Sequence, residues 1–169
     1  MTNVAAPARL GAWLAGQGDY ATFFEPEISK MIKDGTGYPV AAIGTELGPV
    51  DYTAFMATDK FIREKPQVVQ GFTNAVLKAQ LWVASADPKE VATAIAPYFQ
   101  NVDHDVLANG VLRYREYGIW KTDPVVKPAA IEKMQDLMIS GGVLKPADRV
   151  TYDSVVVTTF AEKAKSLVK

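Results

Sequence analysis

The sequence predicts an α/β fold in two parts: a small, mostly parallel sheet drawn from the first third of the chain, then a helix-rich C-terminal part. Short aromatic and β-branched runs alternate with helical apolar spacing up to about Thr58, and from Pro66 onward the apolar period is helical almost throughout. The composition allows a packed core, with 169 residues of which 49% are apolar and 22% charged.

Taken in order, Leu10, Trp13 and Leu14 recur at helical spacing before Gly16-Gln17-Gly18, which reads as a short helix with a glycine stop. Asp19 to Phe24 reads as a strand, and Glu25-Pro26 turns the chain into a helix whose apolar face is Ile28, Met31 and Ile32. Asp34 to Gly37 is a turn, Pro39 to Gly44 a short buried strand, and Tyr52 to Thr58 a third strand beyond the Gly48-Pro49 loop. Three strands make a small sheet with unpaired edges. A long helix starting at Pro66 carries Val68, Val69, Phe72, Val76, Ala79 and Val83. Shorter helices are expected over Pro88 to Tyr98, after Asp103 as a cap, around Ile131 to Met138 before Gly141-Gly142, and around Val157 to Leu167.

Charge and composition exclude several functions. A net charge of -1 and an isoelectric point near 5.8 supply no basic field for phosphate backbones, so no nucleic-acid partner is expected. With no cysteine and one histidine, disulfides, thiolate chemistry and multi-histidine metal sites are excluded, and no cofactor or metal is expected. Met1 to Leu10 lacks a basic stretch followed by an apolar one, so no signal peptide is expected in this chain.

The candidate chemistry is sparse. Gly16 and Gly18 follow a helix and precede a strand, the reverse of a dinucleotide fingerprint, and read as a helix C-cap. His104 sits in an Asn-Val-Asp-His-Asp turn and reads as a surface residue beside a helix start. Glu25 is the sharpest candidate: an acid at the C-terminal end of a strand and just before a helix, where ligands sit in open α/β sheets. The alternative is that Glu25 and Glu27 complement the dipole of the following helix. Trp120, after Tyr117-Gly118-Ile119 in a loop, fits either a ligand cleft or simple packing.

The run Ala12 to Pro26, AWLAGQGDYATFFEP, resembles the segment of nitrate/sulfonate/taurine and thiamine-pyrimidine solute-binding proteins in which a helix, a Gly-Asp turn and a strand lead to a Glu-Pro corner. The resemblance continues through Tyr52 to Met56, the helix after Pro66, Tyr117 to Trp120 and Gly141 to Leu144. It rests on order and spacing rather than on one motif.

The resemblance implies a partial type II periplasmic-binding-protein fold: two lobes joined by crossing strands, a small solute held between them, and delivery to an ABC permease in the membrane. Such proteins are about twice as long as this chain, which would be their C-terminal half. Residues 1–47 would then be the latter part of lobe two, 48–58 the crossing and a lobe-one strand, and 59–169 the helical remainder of lobe one. The expected solute is a sulfonate, a nitrate-like anion or a pyrimidine, the expected compartment the periplasm. Glu25, Phe24 and Pro26 would line the cleft wall, with Tyr52 and Thr53 beyond the crossing and Trp120 as further ligand-binding candidates. No catalytic constellation is present, so the expectation is a binding protein and not an enzyme. Two alternatives stay open: a half-length homo-oligomeric interaction protein that binds no solute, or a thiamine-pyrimidine synthase-like enzyme poorly served by one histidine. Either a second copy or the missing N-terminal half is expected to cover the sheet edges.

Overall fold

A computed structural model describes residues 4–168; Met1 to Asn3, the first part of the Met1 to Leu10 stretch read for a leader, and Lys169 lie outside the described residues. Among the described residues ten α-helices follow one another: α1 (Ala6–Leu14), α2 (Glu27–Asp34), α3 (Ile43–Leu47), α4 (Asp59–Glu64), α5 (Pro66–Ser85), α6 (Pro88–Ile95), α7 (His104–Glu116), α8 (Pro128–Ser140), α9 (Tyr152–Val155) and α10 (Thr159–Leu167).

The expected α/β fold is corrected: among the described residues there is no strand and no sheet, and the fold is all-helical. Asp19 to Phe24 and Tyr52 to Thr58 run without a ladder partner, and the expected strand from Pro39 to Gly44 gives way at Ile43 to the short α3. Aromatic and β-branched alternation reports a preference for extended backbone, but a strand exists only when its N–H and C=O groups pair with a neighbour. These segments have the preference and lack the neighbour. Their large apolar side chains consequently stand in solvent, Tyr20, Val40, Phe55 and Met56 among them.

The helix expectations fare better. α1 ends where the glycine stop places it: Gly16 adopts a left-handed φ of 74°, its N–H donates to Trp13 O, and Gln17 N–H donates to Ala12 O. α2 buries Met31 and stops at left-handed Gly35, while Thr58 and Asp87 cap α4 and α6 through their side chains. α8 ends at Ser140 before Gly141, with Gly142 left-handed. Among the described residues no helix is long and apolar enough to cross a membrane.

The chain forms two compact units. Unit 1 comprises the chain up to Ala41 together with Asp87–Arg113; unit 2 comprises Ala42–Ala86 together with Tyr114 onward. In unit 1, Ala92 of α6 and Leu107 and Ala108 of α7 form a small core closed by Ile95, Ala96 and Val102. In unit 2, α5 packs on α10, whose buried contact residues are alanines, Ala161 and Ala164, and small side chains let two helices approach closely. Gln70 Nε2 of α5 donates to Phe160 O at 3.0 Å across this contact. Arg115 closes the far end of α5, donating to Val83 O (2.5 Å) and Ala86 O (2.6 Å), carbonyls that a helix terminus leaves without partners.

Candidate functional site

The helix start after Glu25 decides what that side chain does. α2 opens behind Pro26, which joins Glu25 through a cis peptide bond and offers no capping side chain. Glu25 supplies the missing acceptor: its Oε2 takes the N–H of Ser29 at 3.0 Å, and its charge lies at the positive end of the helix. Its other oxygen, Oε1, accepts from Arg113 Nε at 2.8 Å. The Glu25 side chain is only 6% exposed and that of Arg113 21%. The partner arrives because α7 turns Gly110 and Arg113, three residues apart, to one side. Gly110 makes the approach possible, since a Cβ there would lie 3.2 Å from Glu25 Cβ and 3.3 Å from Oε2.

Arg113 is a residue that sequence reasoning missed. Its guanidinium spends Nε on Glu25, and among the described residues no acceptor engages its terminal nitrogens. A guanidinium held by one edge keeps a two-pronged donor set, the geometry that suits planar or tetrahedral oxyanions. Its spacing from Gly110 was readable; its pairing with a residue 88 positions away was not.

The other candidates in unit 1 flank this pair. Phe24 is half-exposed and Pro26 partly buried. Tyr52, Thr53 and Trp120 belong to unit 2. There Asp51, next to Tyr52, accepts from Lys121 Nζ at 2.5 Å, and Lys121 is next to Trp120, so the two segments are tied together. Asp51 is 10% exposed and Lys121 40%, and Asp51 Oδ2 is buried with no hydrogen-bond partner among the described residues. Trp120 meets Tyr114 edge-on, with ring centroids 5.6 Å apart at 66°. Tyr52 and Thr53 are exposed.

The described residues contain two shallow recesses that lie elsewhere. One, of about 330 Å³, is lined by Trp13, Leu14, Gly16, Gly18 and Thr36; the other, of about 360 Å³, by α8 residues and the stretch from Arg149 to Tyr152. None of the six candidate residues lines either. His104 is exposed at the first position of α7, with its Nε2 2.8 Å from Thr93 Oγ1. No cluster of three or more histidine, aspartate or glutamate side chains suited to a metal occurs among the described residues.

No family model matches the chain, and no solved structure matches it. The chain is 34% identical over 155 residues to "Putative binding protein YtlA" of Bacillus subtilis (strain 168), a match covering 92% of this chain and 46% of that protein. The chain therefore spans about half the length of the curated relative it matches, and the likeness supports a binding role in general terms.

Proposed function

We propose that the chain is part of the substrate-binding component of an ABC importer, working in the periplasm and taking up a small anionic solute such as a sulfonate or a nitrate-like anion. The reading assigns no chemical step to the protein. It is supported by the relative's name, by the resemblance around the Glu25-Pro26 corner, and above all by Arg113. A partly exposed guanidinium whose terminal nitrogens meet no acceptor among the described residues is a donor set for an oxyanion, and Glu25 holds its Nε. Glu25 is thus a positioning residue, with Phe24 and Pro26 beside it as contact candidates, and Tyr52, Thr53 and Trp120 as secondary ones.

A thermal-shift panel of taurine, alkanesulfonates, nitrate, bicarbonate and pyrimidines tests this. A ligand at about 100 times its Kd adds about 2.7 kcal/mol to the folded state, a shift of several degrees for a chain of this size. Taurine, an alkanesulfonate, nitrate or bicarbonate should raise the melting temperature, and the gain should vanish in Arg113→Met when binding is read by isothermal titration. A pyrimidine as the sole responder, or an anion response untouched by Arg113→Met, removes Arg113 from the role. No response from any compound removes solute binding by this chain.

A further inference from the structure

The helix α5 has two apolar faces, and only one is used. Val69, Val76, Leu77 and Val83 turn inward, and Leu77 is fully buried. Val68, Phe72, Ala75, Ala79 and Trp82, spaced four, three, four and three residues apart, form a second stripe that is exposed along its whole length. Across its 20 residues the helix has one charged side chain, Lys78. Its polar side chains Gln70, Thr73, Asn74 and Gln80 are part-buried while this apolar stripe stands in solvent, the reverse of the usual arrangement for a surface helix.

Beside this stripe runs the non-helical segment from Thr53 to Ala57, every residue of which is exposed. Phe55 leans edge-on against Phe72 with ring centroids 4.8 Å apart, which joins segment and stripe into one patch. Phe55 is 75% exposed and Met56 94%, so the segment adds two large apolar side chains to the exposed surface.

The total area gives the scale. The chain exposes 11984 Å², whereas a compact monomer of 18.4 kDa presents about 8,200 Å². Even two wholly separate compact units sharing that mass would present only about 9,900 Å². The excess is shared by both units, with Tyr20, Tyr38 and Tyr98 exposed in unit 1 and the α5 stripe with Phe55 and Met56 in unit 2.

We propose that this patch, centred on Phe55, Met56, Val68, Phe72 and Trp82, is a docking surface for a polypeptide equivalent to the part of the Bacillus subtilis relative that lies outside the match. The chain covers 46% of that protein, so about half of it has no counterpart here, and an uncharged, extensive surface fits a permanent intramolecular-type contact better than a transient one. The side chains of α5 supply the apolar contact, and the unladdered backbone of residues 53–57 offers its N–H and C=O groups to the incoming chain. This inference goes beyond the solute-binding reading and stands without it.

The sequence contains no cysteine, so Met56→Cys and Phe72→Cys each report on one site through thiol labelling. The chain is co-expressed with the polypeptide of the relative outside the matched stretch or, if that polypeptide is insoluble, substituted for the matched stretch within the whole relative. Light scattering should give a 1:1 complex or a soluble hybrid monomer, and labelling at both sites should slow on the order of tenfold or more against the chain alone. Equal labelling rates in the two settings overturn the proposal. So does slow labelling of the chain alone that deepens with concentration, which makes a second copy the occupant. Phe72→Asp should prevent the complex, or expose the hybrid to labelling at Met56→Cys; an unaffected assembly overturns the surface assignment.

Discussion

The two units each hold a buried carboxylate against a cation, and they do so differently. In unit 1 both oxygens of Glu25 have partners, a guanidinium and a helix amide, and a glycine is cut away to admit them. In unit 2 Asp51 meets a lysine through one oxygen while the other is buried without a partner among the described residues. The arginine pair constrains direction more than the lysine pair does, because a guanidinium donates in fixed in-plane directions whereas an ammonium is a point charge with three rotatable donors. Unit 1 is therefore the better-organised place for a ligand, and unit 2 the more tolerant of change.

The sharpest way to break this comparison is Arg113→Ala, which takes the guanidinium away from the buried Glu25 carboxylate and should cost about 3 kcal/mol, read as a lower urea midpoint. A cost below that of Lys121→Met would reverse the ranking of the two pairs. Lys121→Met leaves the buried Asp51 carboxylate without its cation and should cost about 2 kcal/mol, less than Arg113→Ala because the lysine is well exposed and the contact is partly screened. Replacing both partners, Glu25→Leu with Arg113→Met, removes the uncompensated charge and should cost only about 1 kcal/mol, largely the lost acceptor for the Ser29 amide.

The smallest effect is in acid. The Asp103 carboxyl is held below its ordinary 3.8 by a hydrogen bond from Lys33 and by that lysine's charge. The Asp123 carboxyl is lowered by the Val125 N–H, with Lys165 and Lys127 helping. Both favour the folded state fully above pH 3.8, and their contribution drains away as pH falls below it. Lys33, raised above 10.5 by Asp103, loses its contribution as pH climbs beyond that value. Asp103→Asn and Asp123→Asn should each flatten the acid limb of stability against pH slightly, and an unchanged slope in both would remove these groups from the account.

The helices were legible in the sequence because their signals are local: a proline at the start, a glycine at the stop, and an apolar residue every three or four positions. Gly16, Gly35 and Pro66 all lie where those rules place them. The strands were misread because pairing is not local; Tyr52 to Thr58 has the composition of a strand and no neighbour to make it one. The interior stripe of α5 was half right, since Val69, Val76 and Val83 turn inward while Val68, Phe72 and Ala79 face out. An apolar pattern alone does not say which of two apolar faces finds a partner. At the candidate site, Glu25 could be picked out from its corner, whereas Arg113 and Lys121 could not, because their significance lies in partners 88 and 70 residues away.

That separation has a consequence in time. Unit 1 is assembled from two stretches, with the whole of Ala42 to Ala86 lying between them in the chain. At about 5–20 residues per second of synthesis, Glu25 waits roughly 4–18 s before Arg113 is even made. Throughout that interval the carboxylate must stay hydrated and its surroundings open. The Glu25–Arg113 contact thus belongs to a late stage of the chain's birth, and any nascent product ending short of Arg113 lacks that cation for its acid.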